Sequence, residues 1–179
     1  MIRILIVDDH AVVRMGLIKI IEINQDLKVT GQADSAEEAL KLLMNNKFDV
    51  VLLDISLPGR SGLDIIRDIL AIQPRVRIII LSMYKEKLFA IRSFRAGASG
   101  YLTKEMVPEE IGQAILKVSA GGKYISAEFA AILLDELVEP DNQLPHEQLS
   151  NRELEFLRLI ASGRSLSEIA ASLSLSDRT

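Results

Sequence analysis

Two uninterrupted apolar runs, Val50-Val51-Leu52-Leu53 and Ile78-Ile79-Ile80-Leu81, restrict the possible folds of this chain more than any other feature. Successive side chains of a strand point to opposite faces, so a strand half in water alternates apolar and polar residues. A run that is apolar in both registers needs cover on both faces, as in a parallel sheet flanked by helices. Arg3 to Val7, Leu27 to Gln32 and Gly100 to Leu102 are further strand candidates, and the two runs define strands Val50 to Leu53 and Val76 to Leu81.

Helical stretches fill the intervals. Ser35-Ala36-Glu37-Glu38 has the form of a capping box, with Ala39, Leu40 and Leu43 on one face behind it. Pro108 suits a first helical turn, and Glu109 and Glu110 suit its positive end. Ile111, Ala114, Ile115 and Val118 then recur at helical spacing, and Gly121-Gly122 stops the helix. Five such repeats predict a doubly wound α/β domain with a five-stranded parallel sheet over residues 1–121. Folds of this kind bind ligands at the carboxyl ends of their strands.

Residues 122–148 read as a linker helix capped by Ser126 and running to Leu137, followed by a polar linker, Glu139 to Pro145. From residue 149 to Thr179 the pattern is all-helical. Ser150 to Glu153 and Ser165 to Glu168 are two more capping boxes, heading helices expected to pack through Leu154, Leu157 and Ile160, and through Ile169, Ala170 and Leu173. Gly163 ends the first, Ser174-Leu175 forms a turn, and Ser176 would cap a third helix.

Composition narrows the chemistry. The 179 residues allow one domain and part of another, and with 49% hydrophobic residues a core forms without cross-links. Cysteine is absent, which excludes disulfides, thiolate metal sites and a cysteine nucleophile. No leader pattern and no membrane-length apolar run is seen, so a cytoplasmic protein is expected. A net charge of -4 argues against a general nucleic-acid coat.

The polar residues at the strand ends form one constellation. Asp8 and Asp9 end the first strand and Asp54 ends the third. Two such charges about 4 Å apart repel by roughly 4 kcal/mol at a near-surface dielectric. The crevice therefore needs a raised pKa or a cation, and an all-oxygen set favours Mg2+. Ser82 and Lys104 follow the fourth and fifth strands, where a hydroxyl and an ammonium can hold an anion.

Val7-Asp8-Asp9-His10, Leu53-Asp54-Ile55-Ser56-Leu57-Pro58-Gly59, Leu81-Ser82 and Gly100-Tyr101-Leu102-Thr103-Lys104 resemble the receiver domain of two-component response regulators, in order and spacing. The resemblance implies that Asp54 accepts phosphate from a sensor histidine kinase. It implies that Asp9 and Asp54 ligate Mg2+, with Asp8 nearby and the Ser56 backbone carbonyl as a further ligand. Lys104 and Ser82 would bind phosphoryl oxygens, and Tyr101 stands where the family carries its aromatic switch. Many receivers have proline after the lysine and a cis bond there, whereas Glu105 follows here, so that loop's geometry is open.

Leu149 to Thr179 resembles the start of a LuxR-type helix-turn-helix, and the whole chain is similar to the NarL/FixJ family. That implies phosphorylation-controlled dimerisation and transcription through promoter DNA. The recognition helix of the family would follow Thr179, and Arg152, Arg158, Arg164 and Arg178 are balanced by Glu153, Glu155, Glu168 and Asp177. Specific DNA binding by this shortened chain is therefore not expected. A phosphoacceptor with slow self-dephosphorylation is expected rather than an enzyme. A dinucleotide-dependent oxidoreductase would need a glycine-rich turn where Asp8-Asp9-His10-Ala11 stands. A phosphatase of the haloacid-dehalogenase type would need an Asp-x-Asp nucleophile. The other alternative is a phosphorylation-controlled interaction module without DNA binding.

Overall fold

The computed structural model describes residues 1–83, 87–105, 108–126, 130, 149–162, 164 and 168–170. Strand and helix alternate as β1 (Ile2–Val7), α1 (Ala11–Ile21), β2 (Leu27–Ala33), α2 (Ala36–Asn45), β3 (Val50–Asp54), α3 (Gly62–Ile72), β4 (Arg77–Ser82), α4 (Lys87–Ala96), β5 (Gly100–Thr103) and α5 (Pro108–Ser119), with a later helix α6 (Asn151–Ala161). All strand pairings are parallel, in the order β2-β1-β3-β4-β5. Strand ends differ from expectation by a residue or so. Asp54 and Ser82 are the last residues of β3 and β4, because each still pairs with its neighbour, Asp54 with Leu81 and Ser82 with Thr103.

The two apolar runs are explained by which face each residue serves. Leu5, Val7, Val51, Leu53, Ile78 and Ile80 pack against α2, α3 and α4. Their neighbours Ile4, Ile6, Val50, Leu52, Ile79 and Leu81 pack against α1 and α5. Burial of one Ile or Leu side chain contributes about 1.5–3 kcal/mol, so any strand with a polar residue in either register would be disfavoured here.

Local signals mostly act as the sequence suggests. The Ser35 hydroxyl accepts from the Glu38 N–H, but Glu38 reaches one residue further back, to the Asp34 N–H, so the box is not reciprocal. The Ser150 box closes on itself: Glu153 N–H donates to Ser150 Oγ at 3.3 Å and Ser150 N–H to Glu153 Oε2 at 2.8 Å. Gly121 takes a φ of +92°, and the Gly122 N–H returns to the Lys117 carbonyl to end α5.

Helix α6 corrects the expected packing. Leu154 and Leu159 are buried, whereas Leu157 and Ile160 are each 44% exposed. Leu154 joins the core on the α2–α4 face, while Leu159 packs with Ile169 and Phe156. The helix thus turns two separate stripes inward, and a single-face reading misassigns the residues between them. Its first residue, Asn151, donates to Asp64 of α3 and accepts from Arg92 of α4. Ser126 accepts from the Ala130 N–H as a first helical turn would, but the helix to Leu137, the linker, Gly163, Ser165, Leu173 and everything from Ser174 lie outside the described residues. Among the described residues no helix is long and apolar enough to cross a membrane.

Candidate functional site

β1 lies between β2 and β3, so the chain reverses its winding direction at the β1–β3 boundary. Val7 and Leu53 are partners, which brings the next residues, Asp8 and Asp54, out side by side at the carboxyl edge. Asp8 is wholly buried and Asp54 is 1% exposed, whereas the Asp9 side chain keeps 32% of its surface. Lys104 enters from beyond β5 with its backbone N–H on the Ser82 carbonyl at 2.8 Å. Its Nζ stands 2.7 Å from Asp8 Oδ2 and 2.7 Å from Asp54 Oδ2, so one ammonium bridges two buried carboxylates.

Burial pushes the Asp54 carboxyl up to about 6. Lys104 opposes that and Asp8 adds to it, while the Ser56 backbone N–H pulls down by donating to the carboxylate. Burial alone would lower Lys104, but the Asp54 and Asp8 carboxylates outweigh it and hold the ammonium above the usual lysine value. Lys104 pairs with Asp8 and Asp54 but not with the neighbouring Asp9, and that excess of carboxylate suits a hard cation. Among the described residues, Asp8, Asp9, His10 and Asp54 offer ligand atoms all within 4.8 Å of one another. The residues present therefore fit a divalent ion held chiefly by carboxylate oxygen.

The loop after β3 is held tightly. Ser61 is 1% exposed and its hydroxyl bridges the Ile55 carbonyl and the Leu63 N–H at the start of α3. Gly62 donates to Ile55 at 2.7 Å, and a Cβ at Gly62 would stand 1.9 Å from the Asp54 carbonyl oxygen. Only glycine fits there. Across the site, Arg14 of α1 donates from its guanidinium to the Asp8 carbonyl at 2.6 Å. Sequence reading singled out none of Arg14, Ser61 or Gly62. The Ser61-to-Asp64 spacing is a capping signal that could have found the second, but nothing local marks the others.

Ser82 is wholly buried at the end of β4. Tyr101 is also wholly buried and sits in the α2–α4 core, where an exposed strand face would have left it half covered. Its backbone N–H donates to the Tyr124 carbonyl, fastening β5 to the segment after α5. No peptide bond is cis among the described residues, so Lys104–Glu105 is trans. The structure thus brings Asp8, Asp9, Asp54, Ser82 and Lys104 to one edge, with Ser56 on the adjoining loop and Tyr101 beneath.

The response regulator receiver domain family matches residues 4–116, and the family of bacterial regulatory proteins of the luxR type matches residues 147–179. The chain is a response regulator of the NarL/FixJ family. Among curated relatives, response regulator UvrY of Escherichia coli K12 is 38% identical over all of this chain and 83% of its own length. Response regulator GacA of Pseudomonas aeruginosa is 39% identical over all of this chain and 84% of its own length. A solved two-component response regulator of the LuxR family from Aurantimonas superimposes with a TM-score of 0.73. It is 38% identical and covers 77% of this chain and 99% of its own. This response regulator therefore combines a receiver with a LuxR-type helix-turn-helix region, and the family implies a histidine kinase as donor and DNA as target.

Proposed function

We propose that Asp54 receives a phosphoryl group from the phosphohistidine of a sensor kinase, and that this controls dimerisation and transcription in the cytoplasm. The observation that carries the reading is the bridge from Lys104 to Asp54, which leaves a buried carboxylate at a strand end beside an ammonium able to hold an anion. A carboxylate oxygen of Asp54 forms the new P–O bond as the P–N bond breaks. The departing imidazole keeps that electron pair and takes a proton from water. Lys104 exchanges its contact with the acceptor for one with a phosphoryl oxygen, and Ser82 donates its hydroxyl to another. Asp9, Asp54 and the Ser56 carbonyl would hold Mg2+, with Asp8 acting partly through water; when bound, the ion supplies the charge that offsets the phosphoryl oxygens.

The chain acts once per phosphorylation, as an acceptor with slow self-dephosphorylation. Movement of Ser82 toward the new group opens space for Tyr101, which leaves one buried position for another and changes the surface around β5. Two copies then pair, and a LuxR-type helix-turn-helix complete with its recognition helix acts on the promoter.

Incubation with acetyl phosphate and Mg2+, borohydride trapping and mass spectrometry test the acceptor. Wild type is expected to carry the label on Asp54 alone. Label surviving in Asp54→Asn would overturn the assignment. Ser82→Ala is expected to accept phosphate yet show a weaker change in hydrogen exchange around Tyr101, and a full response there would mean the switch takes another route.

A further inference from the structure

Resting on the metal reading above, we propose that His10 supplies a nitrogen ligand to the bound cation. The site then favours borderline transition-metal dications over Mg2+ more than its carboxylates alone would.

Position 10 is the N-cap of α1, where Ser, Thr, Asp or Asn normally satisfies a free N–H. His10 makes no side-chain cap bond there. Its ring instead turns back across the strand end, with Nδ1 2.6 Å from Asp9 Oδ1 and 3.3 Å from Asp8 Oδ1. Ligand atoms at right angles around an ion with bonds of about 2.1 Å lie about 3 Å apart, so both separations bracket one octahedral edge. The backbone fixes that placement. The His10 N–H donates to Asp8 Oδ1 at 2.8 Å, and the His10 carbonyl accepts from the Arg14 N–H in the first turn of α1.

The oxygens are divided in a way that leaves this position usable. Lys104 engages Oδ2 of Asp8, while His10 faces Oδ1. The ammonium and a cation beside His10 can therefore share Asp8 without competing for one atom. The His10 side chain is 65% exposed, so no core packing determines its orientation and its nearest strong partners are these carboxylates. Imidazole nitrogen suits Co2+, Ni2+ and Zn2+, while all-oxygen sets suit Mg2+, so one nitrogen shifts selectivity rather than simply adding affinity.

The test uses the full chain with Co2+ and Mg2+ titrated separately by calorimetry at constant pH, comparing wild type with His10→Asn. Asparagine keeps a good N-cap, so folding should be retained, and circular dichroism checks it. The Co2+-to-Mg2+ affinity ratio is expected to fall about tenfold in His10→Asn, the scale of loss when a group supporting a metal is removed. Proton NMR of the Co2+ form should show a strongly shifted, exchangeable imidazole N–H that His10→Asn lacks and that His146→Asn, at the other histidine, retains. Binding of both ions with an unchanged ratio and no such signal would overturn the role of His10 and leave the carboxylate site standing. Failure of wild type to bind either ion would sink the metal reading itself, and this inference with it.

Discussion

Asp49 and Asp54 stand at opposite ends of one strand, and the protein holds them in opposite states. At Asp49 partial burial raises the pKa, but the Arg3 backbone N–H and guanidinium outweigh it and keep the carboxyl below its usual range. At Asp54 burial wins, and the carboxyl rises to about 6 despite a lysine at 2.7 Å. The surroundings differ in the same sense. Asp49 lies in an open cleft with Arg3, Lys47, Arg75 and Arg77, all exposed. Helices in this topology run against the strands, so their carbonyl-rich ends face the amino edge and favour cations there. Their N–H-rich ends face Asp54 and favour an incoming anion. A charge at the solvated edge balances the fold, while a charge sealed at the other edge remains available for chemistry.

The contrast is broken or sharpened first by removing the cation beside Asp54. Lys104→Met leaves Asp8 and Asp54 buried without a counter-charge and is expected to cost about 3 kcal/mol by urea unfolding at pH 8. The cost should shrink at pH 5, where Asp54 can take a proton. A cost near zero at pH 8 would mean the bridge contributes nothing to the fold.

The second effect is the pH dependence of Asp54 itself, in metal-free buffer. Its folded pKa of about 6 exceeds the ordinary 3.8, so between those values the folded chain holds a proton that the unfolded chain releases. That stabilisation is complete below the lower value and is lost as pH rises through the upper one. Wild type should therefore lose stability relative to Asp54→Asn between pH 4 and pH 7, by on the order of 3 kcal/mol. A gap independent of pH would place the Asp54 pKa at its ordinary value.

Packing supplies the third. Gly62→Ala is expected to destabilise by about 1–3 kcal/mol, because its methyl would meet the Asp54 carbonyl. Gly16→Ala, inside α1 with nothing within 4 Å of the added carbon, should instead stabilise by about 0.5–1 kcal/mol. Equal tolerance of alanine at the two sites would show that the loop under Asp54 yields. The smallest effect belongs to the solvated edge: Arg3→Met should cost under about 1 kcal/mol and less in high salt, as an exposed pair does.

The sequence by itself determined the order of elements and the two-sided burial of β3 and β4, since both follow from periodicities within a few residues. It also determined that Asp8, Asp54, Ser82 and Lys104 stand at or just past the carboxyl ends of strands, where the strand pattern stops. Other features depend on distance in the chain. Lys104 reaches Asp54 across fifty positions, and Asn151 ties α6 to Asp64 across eighty-seven. Sequence reading placed Leu157 and Ile160 inside, yet they are exposed, because α6 divides its inward residues between two clusters that lie on different sides of it. In the sequence His10 is only the fourth residue of a motif, whereas the fold sets its ring against Asp8 and Asp9. Local spacing records which face a residue is on, but the partner it meets there is chosen by the crossovers that close the sheet, and no single segment carries that information.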